Sequence, residues 1–344
     1  MSIKPIVPVV ASVLFPMILA ACAGGGHVAI PDTVLPIPTL NPVTLPVQAT
    51  DRAVADGKMQ QFNAGTSETK GKVVAYAFVD AIQALSKNPE DSYRMFYQAP
   101  NGKTYPFSTY TNPIFPDIFF PSKSLRTTQD TQKTDDGGQL FACCTARDGS
   151  HSGGGDSGYP ASQVQHLRYG VWIDKSGKTD LFVGGVLSDP KYLQGATADN
   201  NYTPKGKATF ELWALRVNGG KVVSSSYLPS SIFPKVEGVK SLMTVNFNTG
   251  YLGGTIKGNS NFGADIDFSG VVSGSTFTGR ATSGNATGRL DGAFYGDANT
   301  GARNQEVGGK FSFTDSSLDA VFGGKAASGG VKVDDTSTDL VPLQ

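Results

Sequence analysis

The chain has 344 residues, and Lys+Arg and Asp+Glu both number 29, so its formal net charge is zero. Nothing in that balance points toward nucleic acid, which requires a basic face, and no nucleic-acid partner is expected. Glycine (42), proline (20) and 10% aromatics suit turn-rich β structure better than a helical bundle, and the length admits one large domain or two.

Lys4 precedes an apolar run from Ile6 to Ala21, which is short for a membrane span of ~20 residues and is interrupted by Pro8 and Pro16. It reads as a secretory signal over residues 1–21. The run ends in Leu19-Ala20-Ala21-Cys22, which resembles the lipobox of bacterial lipoproteins. The resemblance implies cleavage before Cys22, a diacylglyceryl thioether on its sulfur and an acyl group on its new N-terminus. Two or more acyl chains hold a protein firmly to a membrane, at ~0.8 kcal/mol per buried CH₂. Residues 22–50, with prolines at 31, 36, 38, 42 and 46, read as a lipidated tether with polyproline II character.

Residues 51–235 form a β-rich region of mixed signals. "KVVAYAFVDAI" (Lys72–Ile82) is β-branched and aromatic enough for a strand. "VQHLRYGVWID" places Leu167, Tyr169 and Val171 on one face, and "KATFELWALRV" does the same for Phe210, Leu212 and Ala214. Asn218-Gly219-Gly220 supplies hairpin turn chemistry. Cys143 and Cys144 are adjacent. In an oxidising compartment they are expected to close a vicinal disulfide, although the ring is strained; two free buried thiols are the alternative.

From 236 to 328 the pattern is more regular. Met243, Val245 and Phe247 alternate, as do Ile266 and Phe268, and short strands recur about every ten residues between Gly, Asn, Asp and Ser. This predicts an eight-stranded antiparallel meander closed into a barrel, which removes edge strands. Residues 329–344 read as a polar, frayed tail. The fold class is therefore all-β, with a β-sandwich-like handle region followed by a C-terminal barrel.

"GAFYGDANTGARNQEVGGKFSF" (Gly292–Phe313) and "AVFGGK" (Ala320–Lys325) resemble the C-terminal barrel motif of the transferrin-binding protein B family. Gly292, Phe294, Tyr295 and Gly296 carry the first part of the motif. Glu306, Gly308, Gly309 and Phe311 carry the second, and Val321 to Lys325 the third. "RYGVW" (Arg168–Trp172) is also similar to members of this group. With room for a single handle-plus-barrel lobe, the chain is similar in layout to the haemoglobin–haptoglobin utilisation lipoproteins. The resemblance implies a lipid-anchored receptor on the cell surface of a Gram-negative bacterium's outer membrane. It would capture host haemoglobin, or the haemoglobin–haptoglobin complex, for a TonB-dependent outer-membrane haem transporter. The alternatives are a haem-binding carrier barrel, or a receptor for another host protein such as transferrin or a complement regulator.

No constellation of catalytic residues stands out, and an enzyme is not expected. "GDSG" (Gly155–Gly158) lacks the neighbouring histidine motif that a serine nucleophile needs. "GGGDSG" (Gly153–Gly158) matches G-x-G-x-x-G, but Tyr159-Pro160 follows it where a helix should start. Adjacent cysteines lack zinc spacing, so no metal is expected. Haem ligation by His151, His166 or a tyrosine is chemically allowed, but a lone loop histidine reads as solvated, and no resident cofactor is assigned.

One stretch is anomalous. "NPIFPDIFFPSK" (Asn112–Lys123) packs Ile114, Phe115, Ile118, Phe119 and Phe120 between Pro113, Pro116 and Pro121. The prolines forbid a helix and spoil a central strand. Leaving five such side chains in water forgoes roughly 1.5–3 kcal/mol each. Either the segment folds back as a lid over a core, or it is a proline-stiffened apolar tip for a partner protein. "SSIFPK" (Ser230–Lys235) offers Ile232 and Phe233 in the same way.

Overall fold

A chain written largely in alternating apolar and polar residues has to pair its strand edges, and this one does so in three sheets, of which one closes on itself. The computed structural model describes residues 42, 59–63, 71–77, 93–106, 132–143, 164, 166–226, 239–296 and 306–343.

The handle holds two of the sheets. Strands β1 (Met59–Asn63), β5 (Gln132–Lys133), β6 (Gln139–Cys143), β7 (Leu167–Ile173) and β8 (Thr179–Val186) form a sheet ordered β1-β8-β7-β6-β5. Strands β2 (Lys72–Ala77), β3 (Tyr93–Gln98) and β4 (Thr104–Pro106) form a smaller antiparallel sheet. The remaining strands are β9 (Lys207–Asn218), β10 (Lys221–Ser224), β11 (Ser241–Asn246), β12 (Tyr251–Ile256), β13 (Ile266–Ser273), β14 (Thr276–Ser283), β15 (Ala286–Tyr295), β16 (Glu306–Phe313) and β17 (Ala320–Lys332). Pairing of β17 with β9 closes this third sheet into an eight-stranded antiparallel barrel, β9-β11-β12-β13-β14-β15-β16-β17, and β10 continues β9 as a hairpin outside the closed ring.

The hairpin turns follow from their glycines. Gly219 (φ 56) and Gly220 (φ 74) both occupy the left-handed region that a type I′ turn demands, as the Asn-Gly-Gly signal predicts. Gly274 (φ 59) and Gly284 (φ 58) take the first central position of two-residue turns of the II′ kind.

Every barrel strand sends side chains inward, and the lumen is filled. Phe210, Phe268, Phe277, Phe294, Phe311 and Phe322 sit in one buried cluster, with Phe311 and Phe322 stacked at 4.9 Å and Phe277 edge-on to Phe294 at 5.4 Å. Two loop residues, Leu193 and Phe262, complete this core. The faces read from the sequence hold: Phe210, Leu212 and Ala214, then Met243, Val245 and Phe247, then Ile266 and Phe268, all join it.

The barrel begins at Lys207, upstream of the expected boundary at 236. The reason lies in β9. Alternate residues Phe210, Leu212 and Ala214 face the lumen, while Trp213 and Leu215 face a second core shared with Leu167, Tyr169, Val171 and Val183 of the handle. One strand thus serves both cores, and Lys207–Arg216 is buried throughout.

The handle approaches the barrel wall over glycines. A Cβ on Gly323 would lie 2.2 Å from the Tyr169 ring, and one on Gly308 would lie 2.9 Å from Val183 and 3.0 Å from Leu167. Gly308 and Gly323 are register partners on β16 and β17, so β7 steps from one barrel strand to the next as it runs from Leu167 to Tyr169. Their neighbours Gly309 and Gly324 face the other way, against Phe322 and Leu212 of the lumen. Each Gly-Gly pair therefore admits the handle on one side and a core side chain on the other.

The tail is tied down rather than frayed. Asn246 Nδ2 donates to the carbonyls of Ser337 and Asp339 at 2.8 Å, and the Leu343 N–H donates to Thr209 Oγ1 at 2.8 Å. Buried Lys207 pairs with Asp339 at 2.6 Å. A polar sequence concealed this anchoring because the tail is held by hydrogen bonds to its backbone, which carry no side-chain pattern.

Candidate partner-binding site

The apolar tip residues Ile114, Phe115, Ile118, Phe119, Phe120, Ile232 and Phe233 lie outside the described residues, as do Cys22, Cys144 and the "GDSG" segment. Cys143 ends β6, where its backbone pairs with Tyr169. The structure does describe the stems from which the two apolar segments spring.

The first segment leaves the handle at Pro106, the end of β4, and returns at Gln132, the start of β5. Both exits are clamped. Tyr105, fully buried, donates its hydroxyl to Asp135 Oδ1 at 2.8 Å, and Lys103 Nζ reaches Asp135 Oδ2 at 2.7 Å. Asn101 Nδ2 donates to Asp136 Oδ2 at 2.8 Å, and Asp136 Oδ1 accepts from Thr134 Oγ1 at 2.6 Å. The turn before β4 is thereby stapled to the turn after β5. The Lys103 ammonium and then the Tyr105 hydroxyl hold the Asp135 carboxyl below its usual range. For Asp136, partial burial pushes upward, but the donors Thr134 and Gly138 outweigh it and the carboxyl ends low.

A second clamp joins the two handle sheets. Tyr97 on β3 donates to Asp180 Oδ2 on β8 at 2.7 Å, and its ring lies 4.5 Å from Phe182 and 6.3 Å from Trp172. Asp180 is fully buried. Burial pushes its carboxyl up to about 6, against the opposing pull of the Tyr97 hydroxyl, the Gly71 N–H and the Lys310 charge on the barrel. Gly71 has no side chain because one would strike the Tyr97 hydroxyl at 2.1 Å.

The second segment is held similarly. It leaves after Ser226, whose N–H donates to the Lys257 carbonyl at 2.7 Å, and it returns before Lys240, which pairs with buried Glu211. Sequence reasoning missed all of these stem residues. Turn-type Asp and Asn beside a buried Tyr was their only local signal.

His166 is not a solvated loop residue. It is fully buried at the junction of handle and barrel, and its backbone N–H donates to Glu306 Oε2 at 2.9 Å. Among the described residues no group of three or more His, Cys, Asp or Glu is arranged to hold a metal.

A filled barrel carrying a sheet handle with clamped strand ends defines a scaffold of the handle-and-barrel class. The chain belongs to the haemoglobin-haptoglobin utilisation, porphyrin transporter family (HpuA), whose model matches residues 93–343. The chain is 31% identical to HpuA from Kingella denitrificans. Against the structure of that protein in complex with human haemoglobin, the TM-score is 0.65, covering 90% of this chain and 100% of that one. Against the apo crystal structure of the same haemoglobin receptor the TM-score is 0.64, covering 90% and 99%. Transferrin-binding protein B from Haemophilus parasuis is a looser likeness, at 14% identity and a TM-score of 0.40 over 74% of this chain and 51% of that one, and no weight rests on it. Among curated proteins, no relative matches the chain.

Proposed function

We propose that this protein is a cell-surface receptor that captures host haemoglobin, free or haptoglobin-bound, so that a TonB-dependent outer-membrane transporter can take the haem. One observation carries the reading: the chain covers the whole of a 31% identical HpuA whose structure was solved with human haemoglobin bound. Its role is to bind, not to catalyse. The filled lumen supports a protein that holds the haem carrier rather than the porphyrin. Cys22 and the tether behind it fit anchorage by lipid at the outer membrane of a Gram-negative bacterium.

Capture runs through the apolar segment Asn112–Lys123, with Ile232 and Phe233 as a second contact. The clamped stems at Tyr105–Asp135 and Ser226–Lys257 fix where each segment leaves the body, which lowers the entropy lost on docking. The prolines stiffen the tip and the phenylalanines supply anchor contacts. The test is haemoglobin binding to the immobilised full chain, with and without the double substitution Phe119→Ser, Phe120→Ser. A loss of about 100-fold with an unchanged melting curve is expected for two central aromatic anchors. Unchanged affinity, or loss of the fold, would overturn the role of this tip.

A further inference from the structure

The barrel wall has a covered side and a bare one. The handle rests on β9, β15, β16 and β17. The tail crosses β9 and β11 and sets Leu340 against Gly253 of β12. Among the described residues the outer faces of β13 and β14 meet neither, and there Ser269, Thr278, Arg280 and Thr282 are exposed.

Arg280 on β14 and Arg289 on β15 are register partners on this wall. The hairpin between them closes at Ser283 and Ala286, and counting back by alternation puts Arg280 and Arg289 at a non-hydrogen-bonded site. Side chains approach closest at such sites, and like charges directly opposite destabilise a sheet. Two carboxylates stand nearby. Asp291 accepts from Arg289 Nε at 2.9 Å and Nη2 at 2.6 Å, and Asp267 accepts from Thr255 at 2.6 Å. Arg280 has no hydrogen-bond or ion-pair partner among the described residues. Beside the pair, Tyr251 and Val271 are also register partners and are 56% and 48% exposed.

We propose that this bare wall docks on anionic, phosphate-bearing lipid headgroups without a compensating cation, with Arg280 and Arg289 sharing a phosphate and Tyr251 and Val271 lying in the interfacial layer. A phosphate between the two guanidiniums cancels their repulsion, and the planar fork of arginine matches its oxygens. Tyrosine with one apolar face and one polar tip suits the headgroup boundary. A free anion would use the arginines alone; the adjoining apolar pair favours the lipid. The proposal rests on the membrane-tethered reading.

The test uses the full chain carrying Cys22→Ser, with vesicles of phosphatidylcholine alone and of phosphatidylcholine mixed with phosphatidylglycerol. Co-sedimentation with the mixed vesicles is expected, weakening as salt rises. Arg280→Ser with Arg289→Ser should lower partitioning about thirtyfold, and Tyr251→Ser should lower it less. Haemoglobin capture and the melting curve should stay unchanged in both. Equal binding to neutral vesicles, or a double arginine variant that partitions like its parent, would overturn the proposal. So would titration of the site by inorganic phosphate with no vesicle binding, which would mark a simple anion site. A parent that binds vesicles but not haemoglobin would sink the receptor reading and leave this one standing.

Discussion

The barrel and the handle use the same kind of strand but are assembled over different distances along the chain. In the barrel, each strand from β11 to β17 pairs with the next across a short connection or a single loop. Only the closing pair, β17 on β9, joins distant residues such as Val321 and Leu215. In the handle, β1 finds its partner at β8, so that Met59 lies opposite Val186. The difference teaches a division of labour. Short connections make a filled body that specifies itself, whereas the handle, although most of its strands also pair in chain order, places longer connections between them that are left for binding. Two features join the regions: the glycine seat under Tyr169 and the bond from the His166 N–H to Glu306.

The hardest break of that junction is Gly323→Val. Its side chain has no room beneath the fully buried Tyr169 ring, so the handle must lift or the ring must leave its site. A loss of about 3 kcal/mol in denaturant unfolding is expected for overpacking of this kind. Gly102→Ala is the control. It meets nothing within 4 Å but must hold φ +84, and it should cost only about 1 kcal/mol.

Next comes the clamp within the handle. Tyr97→Phe leaves the buried Asp180 carboxylate short of a donor, at a cost of about 2 kcal/mol at neutral pH. The pH dependence follows from the raised carboxyl. Its folded value of about 6 lies above the unfolded 3.8, so its stabilising share is full below about 4 and is lost as pH rises through 6. Melting temperature should therefore climb as pH falls from 7 to 5. Asp319, which burial also raises to about 6, shares that window, and Asp180→Asn should remove only part of the climb. A flat profile in the parent would refute the assignment. Below about 4 the low-lying Asp135 and Asp136 begin to protonate and the trend reverses.

Two smaller tests separate body from platform. Asn246→Ala loosens the tail by removing its bonds to Ser337 and Asp339, and should cost about 1 kcal/mol with haemoglobin binding intact. Lys103→Ala touches only the exposed staple at the loop stem. It should leave the melting curve where it is and weaken haemoglobin capture a few-fold, read by surface binding, because the loop stem loosens.

The alternation of Leu167, Tyr169 and Val171 announced a one-sided strand, and that face does meet a core. In β9 the same reading took only Phe210, Leu212 and Ala214. Trp213 and Leu215 on the opposite parity were the available sign of burial on both faces. For the binding segment, the clustering of prolines and phenylalanines was visible, but its clamps were not. Tyr105 and Asp135 meet only because β3–β4 and β5–β6 turns converge in space.

By itself the amino-acid order determined the strands, their inward faces and the hairpin turns at Gly219–Gly220, Gly274 and Gly284, because side-chain parity and left-handed φ are properties of a few neighbouring residues. Tertiary structure alone decided that β9 would close the barrel and floor the handle at once, that Gly308 and Gly323 would seat Leu167 and Tyr169, that His166 would be buried, and that the tail would be strapped down. Each of these depends on which surface remains uncovered after the barrel shuts, a quantity that no local pattern encodes.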